Sequence, residues 1–176
     1  MTALKDWQHL TAEIADRPLT RTREATEEER IELARELDIP SCENLRVSYT
    51  IKPAGNERFT FSGKLDAAVT QACVVSLEPV PAKISEDFAI DLAPAEELSG
   101  EEDVEADREV LSLPDVEPIE NGRIEVGAIV FGMLSAALDP YPRAPGIEFD
   151  WIDPKIAADP EAQSPFAALA KLKPKQ

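Results

Sequence analysis

Cys73 and Ser76 stand where the two sulfurs of a C-x-x-C pair would stand, in the stretch Gln-Ala-Cys-Val-Val-Ser-Leu-Glu-Pro-Val. Two thiols at that spacing can clip zinc or cycle as a dithiol, because one turn presents both on the same side. Here the second sulfur is a hydroxyl. Cys42 is the only other cysteine and His9 the only histidine, so one chain falls short of the four nitrogen or sulfur ligands of a structural zinc site. The plainer expectation for Cys73 is a small apolar residue at the end of a strand. Two cysteines are not the dense framework of a secreted scaffold, which points to the reduced thiols of a cytoplasmic protein, although a single Cys42–Cys73 bridge stays open.

Catalytic chemistry is thinly supplied. His9 has no evident nucleophile beside it, and neither a G-x-x-x-x-G-K-[ST] loop nor a G-x-G-x-x-G turn occurs. Carboxylates are plentiful, but a solvated acidic face accounts for them more simply than general acid–base work. The acidic stretch also lacks the glycine-centred spacing of a calcium loop. A non-enzymatic protein is expected, with no cofactor, metal or small-molecule substrate. A metal-assisted hydrolase using the carboxylates is the competing enzyme reading.

Charge sets the next constraint. With 35 acidic and 18 basic residues the formal charge is −17. Such a surface repels phosphate backbones, so an RNA-binding role needs its cations gathered locally. Arg46 and Lys52 fall on the polar side of one alternating run, Arg58 and Lys64 on that of the next, and Lys171, Lys173 and Lys175 lie at the tail. If the two runs pair, their polar faces could make one cationic patch. The opposite extreme is the stretch 94–120, where eleven acids face Arg108 alone, a net −10. It reads as a mobile acidic loop, either a solubility segment or, through Glu101, Glu102, Asp103, Glu105 and Asp107, an electrostatic bait for a basic partner.

The elements that would position these residues follow from periodicity. An edge strand is expected around Leu10 to Ile14. Thr26-Glu27-Glu28-Glu29 is a capping-box start for a helix from Glu27 to Asp38, ended by Ile39-Pro40. Leu45, Val47, Tyr49 and Ile51 alternate with polar residues, as do Phe59 to Cys73 and Ile84 to Leu92, which predicts three antiparallel strands with a bend or bulge at Gly63. Val110 to Leu113 could add a short strand. After the Asn121-Gly122 turn, Ile124 to Leu138 is the most apolar stretch, too short for a bilayer of about 30 Å and better read as a buried helix. No segment resembles a signal peptide or a membrane span, so no membrane partner is expected. From Tyr141 the chain is a proline-rich tail, 141–176, ending in a short docking helix that starts at Ser164-Pro165. The expected class is α+β in a single domain, 1–176: an antiparallel β-meander packed by one apolar helix, with an N-terminal helix and a short C-terminal helix.

The segments FTFSGKLDAAVTQACVVSLEPV, ISEDFAIDLAP, NGRIEVGAIVFGMLSAALDPYPRAPG and SPFAALAKLK, in that order around an acidic gap, resemble the YceD family of large-ribosomal-subunit rRNA accumulation proteins of bacteria and plastids. The resemblance runs from about Leu45 to the C-terminus. Family members commonly read C-x-x-C-L at the first of these segments, so Cys73, Leu77, Glu78 and Pro79 match and Ser76 departs. Some relatives carry further cysteines after the long helix, where this chain has Tyr141-Pro142-Arg143-Ala144-Pro145-Gly146. The resemblance implies a ribosome-biogenesis factor that supports synthesis, processing or stability of 23S rRNA. Its partner would be 23S rRNA or a pre-50S particle, met directly or through a basic ribosomal protein. An acidic adaptor unrelated to ribosomes is the alternative.

Overall fold

The computed structural model describes residues 3–14, 17–98 and 116–147. The chain divides into a unit Met1–Ala144, which holds every element below, and a unit Pro145–Gln176, of which only residues 145–147 are described. The expected acidic bait residues Glu101 to Asp107, the Val110 to Leu113 strand and the C-terminal helix with Lys171 and Lys173 lie outside the described residues.

A two-residue strand β1 (His9–Leu10) and a 3-10 turn (Thr11–Glu13) open the fold, followed by β2 (Leu19–Glu24). The capping box forms as its residues dictate. Glu29 N–H donates to the Thr26 hydroxyl, Thr26 N–H donates to the Glu29 carboxylate, and α1 (Glu27–Glu36) begins. Then come β3 (Ser41–Gly55), β4 (Arg58–Ala72) and β5 (Pro79–Pro94), three long strands with short turns. The expected acidic loop is structured at both ends, as α2 (Ala95–Leu98) and β6 (Val116–Ile119). Strand β7 (Arg123–Ile124) pairs with β1, and α3 (Val126–Ala137) follows it.

The five-stranded sheet has the order β2-β3-β4-β5-β6. Its alternation is strict enough to bury Leu45, Val47, Tyr49 and Ile51 of β3 and Phe59, Phe61, Leu65, Ala67 and Val69 of β4 on one face. Leu4, Trp7, Ile14, Leu33, Val126, Val130 and Leu134 complete that core from the N-terminal segment, α1 and α3. Gly63 lies opposite both Tyr49 and Phe88 in the ladder. A Cβ there would sit 2.2 Å from the Ser48 carbonyl oxygen, so only glycine lets β3 and β4 approach this closely. The Tyr49 and Phe88 rings pack on either side of Phe61, with centroids 5.4 and 4.8 Å away. Each such pair is worth roughly 0.5–1.5 kcal/mol.

The α+β class expected from the sequence is overturned. Of the described residues 48% are strand and 23% helix, so the fold is mostly β, with a five-stranded sheet and three helices. The chain opens on strands β1 and β2, and its first helix follows them. Nor is the sheet a pure antiparallel meander, because β6 joins β5 in parallel, with Asp91 opposite Val116 and Pro94 opposite Ile119. The physical reason is shared. Edge strands β2 and β6 bury little, so Leu-Thr-Arg-Thr-Arg-Glu and Val-Glu-Pro-Ile carry too few apolar residues to show a strand period.

Candidate functional site

The solvent face of the sheet carries the four cations expected there, Arg46, Lys52 and Lys64 in its rows and Arg58 at the end of β4. Reading across the strands, Glu24, Arg46, Asp66 and Ser85 form one row, and Thr22, Ser48, Lys64 and Asp87 the next. A third row is Thr20, Thr50, Ser62 and Ala89, and a fourth Lys52, Thr60 and Asp91. Hydroxyls tie the rows, with Thr20 to Thr50 and Thr22 to Ser48 each at 3.1 Å. Acids accompany the cations. Lys64 lies 3.8 Å from Asp66, and Arg46 sits between Glu24 and Asp66. Arg58 falls on the same side of β4 by alternation, but at the strand's first position, where its guanidinium is held 2.8 Å from the Glu97 carboxylate.

A second cluster was missed by the sequence reading. On the core side of β2, Arg21 lies opposite Tyr49 and Arg23 opposite Val47. The Arg23 guanidinium stacks 5.1 Å from the Trp7 ring centroid and donates to the Asp6 carbonyl at 3.1 Å. Trp7 is 1% exposed and its indole N–H donates to Glu29, so the platform under Arg23 is rigid. His9 is placed by β1, and its Nε2 is 2.8 Å from the Tyr49 hydroxyl. Burial and then the positive charges of Arg23 and Arg21 hold the His9 imidazole below its ordinary pKa. Glu13 pulls the other way and loses.

The Cys73 loop is built by hydrogen bonds. The Gln71 side-chain amide donates to the Asp139 carbonyl at 2.8 Å and accepts from the Asp139 N–H at 3.3 Å, tying the end of β4 to the chain after α3. The Val74 N–H then reaches Pro142, while Cys73 N–H bonds Glu78 and Leu77 N–H bonds Cys73. Leu77 takes a left-handed conformation, φ 61°, to close the turn. Cys73 is buried, yet stands apart from the main core, and its pKa is lowered to about 6. The Ser76 hydroxyl is the main cause, followed by backbone amides of Ser76, Ala144 and Val75, which outweigh desolvation. Cys42 is shifted upward instead, by burial and then by Glu43. Both thiols are free. Around the loop Val74, Val75, Leu77 and Tyr141 expose their apolar side chains.

Zinc does not fit this loop, which offers one sulfur where the metal takes four ligands. Among the described residues no three histidine, cysteine, aspartate or glutamate side chains form a metal cluster. A cleft of about 580 Å³ opens beside the β3–β4 turn, walled by Pro53, Phe59 and Ile119 with Glu57 and Glu96 at its sides. No helix among the described residues is long and apolar enough to cross a membrane.

Comparison with known proteins adds one finding. Neither a curated protein nor a solved structure matches the chain. The sequence model of the family described as large ribosomal RNA subunit accumulation protein YceD matches residues 61–173, from the inner half of β4 through the Cys73 loop and α3 into the tail. That span is more than half of the chain, and the protein belongs to the YceD family.

Proposed function

We propose that the protein supports accumulation of large-subunit ribosomal RNA by binding, without catalysis, and that its sheet meets 23S rRNA or the pre-50S particle in the cytoplasm. Family membership carries the reading, since the family's name ties it to large ribosomal RNA accumulation. The sheet supports the binding mode. Its solvent face sets hydroxyls of Thr20, Thr22, Ser48, Thr50, Thr60 and Ser62 among Arg46, Lys52 and Lys64, groups that hydrogen-bond sugars and phosphates without reading sequence. In cells lacking the gene, the ratio of 23S to 16S rRNA is expected to fall and to recover with a plasmid copy. An unchanged ratio, in cells with no second family member, removes the ribosomal reading.

The net −10 of residues 94–120 favours a second route, capture of a basic ribosomal protein. On that route, changing Glu101, Glu102, Asp103, Glu105 and Asp107 to their amides abolishes association with the pre-50S particle. On the RNA route it leaves association intact.

A further inference from the structure

We propose that the protein grips RNA phosphates at the β2 edge of its sheet, through Arg21 and Arg23 with Arg17 ahead of them. This assignment rests on the RNA-binding reading and adds to the solvent face a second set of contacts, at the sheet's edge and on the other side of β2. In a chain of net charge −17, the stretch Arg-Pro-Leu-Thr-Arg-Thr-Arg is a local concentration of cations without an acid. The fold keeps it so. Among the described residues, Arg17, Arg21 and Arg23 have no carboxylate within ion-pair distance, whereas Lys64 and Arg58 do.

Arg21 and Arg23 alternate with Thr20 and Thr22, so both project from the same side of β2, roughly 7 Å apart along the strand. That spacing is of the order of the distance between successive phosphates on a nucleic-acid strand. Each guanidinium has five donors and spends few of them. Among the described residues, Arg21 reaches only its neighbour's Thr20 carbonyl at 3.4 Å, and Arg23 only the Asp6 carbonyl. The remaining donors suit bidentate phosphate contacts. Trp7 beneath Arg23 holds its guanidinium in place before RNA arrives, which lowers the ordering cost of binding. The position is also open, because β2 is the outermost strand and Arg21 is exposed.

The competing role for these arginines is to guard an edge strand against pairing with a second chain. Binding of deproteinised 23S rRNA to the full chain, measured across a salt series, separates the two. R21Q/R23Q is expected to weaken binding at least tenfold and to flatten the log–log salt slope by about 1.4, two contacts at about 0.7 each for single strands. K52Q/K64Q, which removes one lysine already beside Asp66 and one opposite Thr60, is expected to weaken it threefold or less. Because losing Arg23 could loosen Trp7, R21E provides the independent check: Arg21 is exposed, among the described residues its one hydrogen bond is to a backbone carbonyl, and its charge reversal should also cost at least tenfold. Wild-type protein that binds while R21Q/R23Q and R21E bind equally well overturns the assignment and leaves the RNA reading standing. The same holds if those variants bind normally and only self-associate. Wild-type protein that does not bind the RNA overturns both.

Discussion

Cys73 shows how much a single residue's chemistry depends on the loop around it. A buried thiol ordinarily rises in pKa, as Cys42 does. Cys73 moves to about 6 because the Ser76 hydroxyl and three backbone amides converge on its sulfur and favour the thiolate. Ser76 stands where a C-x-x-C pair would have its second sulfur, so the turn offers Cys73 a hydroxyl donor in place of a partner thiol. Folding therefore releases a proton from Cys73 between about 6 and the ordinary thiol value of 9.0. The unfolded chain binds more protons in that window, so the contribution to stability is complete above the ordinary value, shrinks as pH falls, and is gone below about 6. Thiolate absorbance in the wild type should titrate with a midpoint near 6 that C73S abolishes and S76A raises. A wild-type midpoint in the ordinary thiol range would mean that the donors do not act on the sulfur.

At the scale of elements, the N-terminal segment and α3 depend on each other through Gly127. The N-cap residue Glu125 makes no side-chain cap, and the Gly127 N–H, one of the orphan donors of the first turn, is satisfied by the Trp7 carbonyl at 2.8 Å. A Cβ on Gly127 would meet the Leu4 carbonyl oxygen at 2.1 Å and Leu4 Cβ at 2.8 Å, both in a segment already pinned by buried Trp7. G127A should therefore cost about 1–3 kcal/mol of overpacking and lift Trp7 out of its site. A lowered melting temperature with red-shifted tryptophan emission checks it, and a wild-type melt would show that the segment yields freely. None of this contact was legible in the sequence, where Gly127 is one small residue in an apolar run and the packing partner lies over a hundred positions away. The legible elements were those whose own residues suffice: the Thr26 capping box, the alternation from Leu45 to Ile51, and the apolar stretch that became α3, whereas the bulge expected at Gly63 is not found, because both registers run through it unshifted. Strand β2 was hidden because its residues are polar on both sides, and so Arg21 and Arg23 escaped notice while Arg46, Lys52 and Lys64, on recognisable strands, did not. Alternation placed Arg58 on that face but could not reveal the Glu97 that takes its charge.

For the molecule as a whole, the family match and the folding unit do not share a boundary. The match begins at Phe61, inside β4, whereas the sheet starts at Leu19 and the core draws on Leu4 and Trp7. Strand β3 alone contributes Leu45, Val47, Tyr49 and Ile51 to that core, pairs β4 from Ser41 to Gly55, and carries β2 on its far side. Removing residues before β4 would turn a fifteen-residue internal strand into a bare edge and expose Phe61, Leu65, Ala67 and Val69. The apolar face of α3 would lose Leu4 and Trp7 at the same stroke. A fragment from Arg58 to Gln176 is therefore expected to aggregate or to melt without a cooperative transition by circular dichroism, while the full chain melts cooperatively. Were the fragment to melt cooperatively, strands β4 to β6 with α3 would form a self-sufficient core, and the 57 residues before Arg58 would be an addition built around it, with the Arg21–Arg23 edge as part of what they add.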